Sequence, residues 1–290
     1  MLINGGFKIE YGRDIIRNLA PYKDDYLIFG CASSVWIMFG DPRTGGALRE
    51  LSLTTGIFGA NSYCWDNNNQ FYFWGNNGLY RTTIPGNPQC ISQFKLPRIV
   101  KDEAASPSTH RITLLYDRDR HGIIVAITVL ATGANSNYWY DLNILDEQEI
   151  GGFFPESYAT DCAIYSGVYY DSNTPSLKGL LLGNTDGYIR IFDDTVKNDV
   201  VGQTSNAVDS YVCLGPIPMS GVLQREGTLA GIDLTVAGGG VGGSQSDSDD
   251  VDFKVYTART SEQVLERLSA NTNPNFAGTF AGPGNVRGTT

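Results

Sequence analysis

Short runs of β-branched and aromatic residues recur along the chain, and each run stops at Gly, Asn, Asp or Pro. In residues 70–83 the run "QFYFW" is followed by "GNNG" and then by "LYRTT". The same order returns in "GLLLGNTDGYIRIFDD" at 179–194. Asn77-Gly78 and Asp186-Gly187 favour the positive φ of a type I′ turn, so both stretches are predicted to be tight β-hairpins.

The spacing of such runs predicts the architecture. Similar units contain "YLIFG" with "VWIMFG", "ITLLYD" with "IIVAITVL" and "YWYDLNIL", and "CAIYSGVYYD". Comparable points lie roughly forty residues apart, which is the period of four-stranded propeller blades. We therefore predict an all-β protein with β-propeller-like blades at 25–196, and an irregular β-sandwich of similar hairpins is the alternative. Residues 1–24 lack a persistent period and are predicted to be an N-terminal arm or a lead-in strand.

A second domain is predicted after the apolar pattern lapses in 197–208. Residues 209–290 contain further short apolar runs, and they predict a small β-sandwich. The Gly/Ser/Asp-rich stretch 238–250 is predicted to be a flexible loop. A short helix is expected at 261–268, with Ser261 as its N-cap and three apolar residues on one face.

Composition and charge narrow the function. Hydrophobic residues make up 41% and aromatic residues 11% of the 290 residues, which is typical of a turn-rich β protein. The formal net charge is −10, so tight nucleic-acid binding is not expected, because phosphates are held by clustered Lys and Arg. No apolar run reaches the ~20 residues of a membrane-spanning helix, and no signal peptide is recognisable, so we expect a soluble, unexported chain.

Few residues suggest chemistry. The five cysteines, at 31, 64, 90, 162 and 213, show no metal-ligand spacing and are predicted to be buried thiols of a reducing compartment. His121 is expected in a hairpin turn and His110 in a loop, both solvated. No nucleophile elbow, P-loop or Rossmann fingerprint is present, and Gly238–Gly243 does not lead from a strand into a helix.

Acidic residues offer the remaining candidates for catalysis, because propeller glycosidases use paired carboxylates. They sit at predicted strand ends and turns, where Asp closes hairpins for structural reasons, so we predict no catalytic site. A solvated acidic loop, rather than a calcium site, is predicted for Asp247, Asp249, Asp250 and Asp252, since the calcium-loop Gly and Glu are missing. No cofactor is expected. The catalytic candidates are Asp117, Asp119, Asp141, Asp146, Glu147, Glu149, Asp193 and Asp194.

Aromatic residues are dense in "YCWDNNNQFYFW" and "YWYD". Strand alternation turns half of each set inward, so we predict that they fill the space between blades. Exposed Tyr and Trp at loop tips would instead stack on sugar rings, which is the basis of an alternative function as a receptor- or glycan-binding module.

The order and texture of these segments resemble the propeller segments of tail proteins from double-stranded DNA bacteriophages. The segments that carry the resemblance are "DYLIFGCASSVWIMFGDP", "GIFGANSYCWDNNNQFYFWGNNGLYR", "GGFFPESY" and "SYVCLGPI". They are similar to segments of the nozzle proteins of short-tailed phages (tail tubular protein B). The resemblance implies a non-enzymatic virion component, made in the host cytoplasm. It also implies a homo-oligomeric ring around the DNA exit channel, which touches neighbouring tail adaptor or fibre proteins.

Two physical expectations accompany this resemblance. Open sheet edges favour an oligomer over a free monomer. The acidic charge favours a channel wall that repels phosphates, so that DNA passes without specific binding. A propeller glycoside hydrolase is the second alternative function.

Overall fold

The computed structural model describes residues 14–24, 26–41, 43, 45–92, 105–148, 151–193, 198–207, 211–218, 229, 231–235, 251–280 and 287–289. The described chain is mostly β and forms several small antiparallel sheets. It divides into two compact units, Met1–Ser210 and Tyr211–Thr290, called unit 1 and unit 2 below. The predicted propeller-like range 25–196 and sandwich range 209–290 remain predictions.

Unit 1 contains three four-stranded sheets and one three-stranded sheet among its described residues. Sheet 1 has strands β1 (Ile16–Tyr22), β2 (Tyr26–Cys31), β3 (Val35–Phe39) and β4 (Ala47–Ser52). Sheet 2 has β5 (Tyr63–Trp65), β6 (Gln70–Gly75), β7 (Gly78–Thr83) and β8 (Gln89–Cys90). Sheet 3 has β9 (His110–Asp117), β10 (Gly122–Val129), β11 (Asn135–Asp141) and β12 (Phe153–Glu156). Sheet 4 has β13 (Ile164–Tyr170), β14 (Gly179–Asn184) and β15 (Ile189–Ile191).

Shorter elements complete unit 1. Helix α1 (Leu142–Gln148) follows β11, and 3₁₀ turns span Thr160–Cys162 and Pro175–Leu177. A separate hairpin pairs β16 (Asn198–Val201) with β17 (Thr204–Ala207). The segment "LNIL" was predicted to continue the preceding strand, but it is the start of helix α1. Asp141 accounts for this, because its carboxylate accepts the backbone N–H groups of Asn143 and Ile144 and so caps the first turn.

Each sheet is an antiparallel meander whose strands pair in chain order. The first strands begin at Ile16, Tyr63, His110 and Ile164, at intervals of 47, 47 and 54 residues. The repeat is thus somewhat longer than the spacing predicted from the sequence. Strand β1 pairs with β2 through Leu19–Phe29 and Tyr22–Tyr26, so the predicted boundary after residue 24 cuts through a hairpin.

Successive sheets pack face to face, and three apolar clusters fill the junctions. Sheet 2 uses both of its faces: Tyr72 and Trp74 face sheet 3, whereas Phe71 and Phe73 face sheet 1. In sheet 3, Ile123 and its alternate neighbours face sheet 2, and the residues between them face sheet 4. A strand buried on both faces needs an apolar side chain at every position, which explains the unbroken runs "QFYFW" and "IIVAITV".

Polar bonds join the first strands of neighbouring sheets. The Ser62 hydroxyl donates to the carbonyl of Ile112 (2.7 Å), and Leu114 N donates to the carbonyl of Asn61 (3.0 Å). The Asn61 amide donates in turn to the carbonyl of Tyr165 (3.0 Å). The backbone carbonyls of Asn61, Ile112 and Tyr165 thereby have hydrogen-bond donors within the protein.

The two predicted hairpins form, with a different turn geometry. In the second one Gly187 N donates to Asn184 O (3.1 Å), so Thr185 and Asp186 occupy the centre of the turn. The positive φ falls on the following residue, Gly187 (84°). A central turn pair followed by a left-handed glycine is the usual three-residue hairpin loop, in place of the predicted type I′ turn.

Unit 2 contains two two-stranded sheets and one helix among its described residues. Strand β18 (Asp233–Thr235) pairs with β21 (Arg287–Thr289), and β19 (Val251–Val255) pairs with β20 (Phe276–Phe280). Helix α2 covers Ser261–Ala270 and contains the predicted 261–268.

The predicted N-cap of α2 is wrong by one residue. Thr260 has extended backbone (φ −128°, ψ 152°), and its hydroxyl accepts the N–H of Gln263 (3.3 Å). Ser261 is already the first helical residue. Of the helices described here, none has the length and apolar character needed to cross a bilayer.

Candidate functional site

Most of the acidic candidates with described side chains are turn residues. Asp117 Oδ1 accepts the N–H of Asp119 (2.9 Å) in the β9–β10 turn, and Asp141 caps α1. The Asp119 carboxylate accepts the hydroxyl of Tyr169 (3.2 Å), while Asp193 is exposed beyond β15. Asp117 and Asp141 thus close a turn and cap a helix, which is the kind of structural role predicted for them, whereas Asp119 bonds a residue of sheet 4.

Other acidic candidates lie outside what is described. Asp146 and Glu147 belong to α1, but their side chains are not described, and Glu149 and Asp194 are not among the described residues. The same holds for Gly238–Gly243 and for Asp247, Asp249 and Asp250. Asp252 lies in β19 and accepts the hydroxyl of Thr279. Within the described ranges, no group of three His, Cys, Asp or Glu side chains could hold a metal ion.

Arg120 organises the strongest ionic network of unit 1, at the junction of sheets 3 and 4. Its Nε donates to Asp117 Oδ2 (2.8 Å), and its Nη1 donates to Glu156 Oε1 (2.7 Å). The guanidinium also lies over the ring of Trp139 (3.9 Å from the centroid) and over that of Phe192 (4.3 Å). The sequence does not identify Arg120 as a functional residue, because "DRDRHG" at 117–122 predicts only a hairpin turn.

In this network the Arg120 guanidinium pairs with the carboxylates of Asp117 and Glu156, and all three side chains are mostly buried. Burial alone would lower the pKa of Arg120, but the charge of Glu156 and the hydrogen bonds to both carboxylates outweigh it and raise the pKa. Glu156 Oε2 also accepts the hydroxyl of Tyr158 (2.7 Å). Burial, and then this carboxylate, raises the pKa of Tyr158 well above its usual value. The arrangement holds charge in place and offers no free base.

A second ionic network links sheet 4 to the β16–β17 hairpin. Arg190 Nη2 donates to Asp186 Oδ2 (2.6 Å) and also to the carbonyl of Val200 (3.3 Å). Asp199 Oδ2 accepts the backbone N–H of Ala159 (2.8 Å) from the other side. The hydrogen bond from Arg190 lowers the pKa of Asp186. These contacts tie the hairpin to the sheets that precede it.

A further carboxylate is held near the start of sheet 1. Asp14 Oδ2 accepts the hydroxyls of Ser34 (2.7 Å) and Ser33 (2.9 Å). Partial burial alone would raise the pKa of Asp14, but these hydrogen bonds outweigh it and lower the pKa. The group closes the β2–β3 turn.

The two histidines have protein partners. His110 is the first residue of β9, not a loop residue as predicted, and its Nδ1 lies 2.7 Å from Thr109 Oγ1. His121 occupies the predicted hairpin turn with φ 53°, and its Nδ1 lies 2.8 Å from the Tyr116 hydroxyl. Both contacts are local to a turn or strand end, so we assign them structural roles.

The cysteines are all free, and they differ in exposure. Cys31, Cys64 and Cys162 are buried as predicted, Cys90 is partly buried and Cys213 is exposed. Burial raises the pKa of Cys31, Cys64 and Cys162, which keeps these three thiols protonated and unreactive.

Apolar side chains remain uncovered at the two ends of the sheet stack. On sheet 1 the row Ala20–Ile28–Ile37 faces sheet 2, so the alternate rows face away from it. We call these alternate rows the sheet 1 outer face; it contains Leu19, Leu27, Phe29, Trp36, Met38 and Leu48.

Sheet 4 repeats this arrangement at the other end. Leu180 and Leu182 face sheet 3, so the residues between and beside them face away. We call this the sheet 4 outer face; it contains Ser166, Val168, Leu181, Gly183, Ile189 and Ile191. On the sheet 4 outer face Val168 is 61% and Ile189 74% exposed, whereas on the sheet 1 outer face Leu19 is 55% exposed and the other five residues are partly buried. Exposed apolar strand residues mark both faces as candidate interaction surfaces.

No model of a known protein family matches this chain, and a search of curated proteins finds no match.

Proposed function

We propose that the protein is a structural component of a bacteriophage tail nozzle or tube, in which copies form a homo-oligomeric ring around the DNA exit channel. The resemblance of the sequence to such tail proteins motivates the proposal. The observation that carries it is the stack of four antiparallel sheets, each packed on the next, with an apolar face uncovered at both ends.

The stack supports the finer proposal of β-propeller-like blades. Each sheet is a meander in chain order, and the first strands of adjacent sheets are hydrogen-bonded to each other, as inner strands near a propeller axis would be. For unit 2 we retain the β-sandwich as a proposal, based on its paired short strands.

A scaffold of this kind suits a mechanical role. Aromatic and branched side chains fill all three junctions, and close-packed cores resist deformation. The net charge of −10 favours a wall that DNA passes without binding. The side chains that join the sheets at or beside these first strands include the neutral Asn18, Asn61, Ser62, Thr113 and Thr128, so the proposed repulsion rests on the overall charge of the protein and not on carboxylates at these positions.

One observation bears on the glycan-binding alternative: Tyr188, at the β14–β15 turn, and Tyr211 are 66% and 68% exposed. The aromatic runs that suggested sugar stacking supply Tyr72, Trp74, Tyr138 and Tyr140 to the apolar core. A shallow cleft of about 270 Å³ beside β7 is lined by polar side chains such as Gln70, Asn87 and Gln89, without an aromatic platform. Of the described carboxylates that suggested a hydrolase, Asp117 and Asp141 cap turns, Asp117 also pairs with Arg120, and Asp119 bonds Tyr169.

The proposal is tested by the mass of the purified chain in solution and by electron microscopy of the same sample. We expect an oligomer that appears as a ring with a central opening. Fluorescence anisotropy with a labelled DNA duplex should show no binding at physiological salt. A protein that stays monomeric at high concentration, or that binds duplex DNA tightly, would contradict the proposed role.

A further inference from the structure

The three junctions inside unit 1 show how this chain joins one sheet to the next. Each junction places an apolar face on an apolar face. At the sheet 3–sheet 4 junction, a Cβ added to Gly167 would lie 2.5 Å from Cδ1 of Leu115. The leucine therefore occupies the space that the glycine leaves free.

The two uncovered faces have the complementary properties that such a junction needs. The sheet 1 outer face is bulky, with Phe29 paired to Trp36 and Leu27 paired to Met38 across β2 and β3. The sheet 4 outer face is flatter, because Ser166 pairs with Gly183 and Val168 with Leu181. Bulky side chains of the first face would lie over the small residues of the second, as Leu115 lies over Gly167 between sheets 3 and 4.

We infer that a second copy of this chain covers these faces, with the sheet 4 outer face of one copy packed on the sheet 1 outer face of the next. The contact would repeat, between copies, the junction that the chain makes three times within itself. It joins two different faces, so successive copies follow one another head to tail, and a ring results when the rotation closes. This inference rests on the proposed homo-oligomeric ring and names the surface that builds it.

The area of the faces favours a closed ring over a pair joined once. The smaller sheet 4 outer face has three strands about 4.8 Å apart, and five residues at about 3.3 Å each give it a flat area of roughly 240 Å². This is well below the ~800 Å² per partner of a standard interface, so a copy held at both faces of a closed ring is retained better than a pair joined once. A single junction stays within the range of incidental contacts.

Charge substitutions on each face test the inference in the full chain. Leu19→Arg and Ile189→Arg each place a cation within a proposed junction, and we expect each to raise the apparent dissociation constant of the oligomer about 100-fold or more. Leu177→Arg is the matched control, because Leu177 is 56% exposed but lies in the 3₁₀ turn between β13 and β14. The control should leave the oligomer unchanged, and all three proteins should fold, since each position is exposed in the single chain.

Mixing the two variants tests the head-to-tail arrangement. The L19R protein keeps an intact sheet 4 outer face, and the I189R protein keeps an intact sheet 1 outer face. Each mixed pair has one unmodified junction, so an equimolar mixture, with one variant isotope-labelled, should form weak mixed pairs at high protein concentration that neither variant forms alone, as detected by native mass spectrometry. If like faces met instead, only one of the two substitutions would disrupt the oligomer and mixing would not restore it, which would overturn the inference.

The remaining outcomes separate this inference from the proposed function. An oligomer that persists in both variants would overturn the choice of faces and leave the ring in place. A monomeric parent protein would overturn both. If that monomer also protected β1–β3 and β13–β15 from hydrogen exchange as strongly as β9 and β10, residues of the same chain would be the cover, and not a second copy.

Discussion

Replacing Arg120 by methionine should destabilise unit 1 by about 3 kcal/mol. Methionine keeps an apolar stem against Trp139 and Phe192, but it removes the charge that Asp117 and Glu156 share at 2.8 and 2.7 Å. Removing one partner from a buried ion pair costs about 3–5 kcal/mol, because the other charge is left uncompensated. The Arg120 and Glu156 side chains retain 26% and 19% exposure, so water compensates in part and the lower limit applies.

The assay is denaturant unfolding followed by tryptophan fluorescence. All four tryptophans, Trp36, Trp65, Trp74 and Trp139, lie in unit 1, so the signal reports this unit. In a thermal scan, the same change corresponds to a midpoint lowered by about 6–12 °C for a unit of this size.

Two further variants isolate the physical cause. Arg118 lies in the same turn, but its ion pair with Asp171 is long (3.8 Å) and exposed, so Arg118→Met should change stability by less than about 1 kcal/mol. Adding Glu156→Gln to Arg120→Met removes one unpaired charge and should recover about 1 kcal/mol. If Arg120→Met matched the Arg118 control within about 0.5 kcal/mol, the guanidinium would be a solvated surface group and the reasoning would be refuted.

Three other substitutions test separate features of the structure. Gly122→Ala should destabilise unit 1 by about 2 kcal/mol, because the added Cβ would lie 2.2 Å from an indole carbon of Trp139 in the neighbouring strand. Gly59→Ala, whose nearest contact is at 3.6 Å, should be tolerated, and equal loss of stability in fluorescence-detected unfolding would contradict the packing. Thr260→Ala should lower the local stability of α2 by about 1 kcal/mol, and Ser261→Ala clearly less, as measured by hydrogen exchange of the helix. A larger loss in Ser261→Ala would show that Ser261, the residue predicted from the sequence, is the N-cap. The pKa of Asp14 is lower in the folded protein, so its stabilising effect is present above the unfolded-state pKa of 3.8 and is lost as the pH falls through the folded-state pKa. Asp14→Asn should therefore lower the free energy of unfolding at pH 7. A gap in stability between variant and parent that did not narrow in acid would contradict this assignment.

The strand segments were predictable because hairpin signals are local. Apolar runs of four to eight residues bounded by Gly, Asn and Asp identify strands with little help from the rest of the chain, and "QFYFW" and "LYRTT" both lie in paired strands. Prediction failed in two places. The run "LNIL" is helical because the Asp141 carboxylate, a local cap that the prediction overlooked, accepts its first N–H groups. Strand β1 has no clear period of its own and joins sheet 1 by pairing with β2.

At the candidate site, too, local features were predictable from the sequence and long-range contacts were not. Their positions at turns were predictable from residue type, because Asp accepts backbone N–H groups two or three residues ahead. Arg120 was not, because its partner Glu156 lies 36 residues away and its stacking rings lie in β11 and beyond β15. A short pattern cannot show which distant strands lie beside a turn.

The sequence by itself determined that the chain would be a β protein of repeated hairpins with an acidic surface, since strand alternation, turn chemistry and net charge are properties of neighbouring residues or of simple sums. Only the tertiary structure decided which face of each strand would be covered. In sheets 2 and 3 both faces are buried, while Leu19 and Ile189 are 55% and 74% exposed, although each is as apolar as the residues of the buried rows. Burial depends on what packs against a strand, and the order in which sheets stack is set by contacts between residues far apart in the chain.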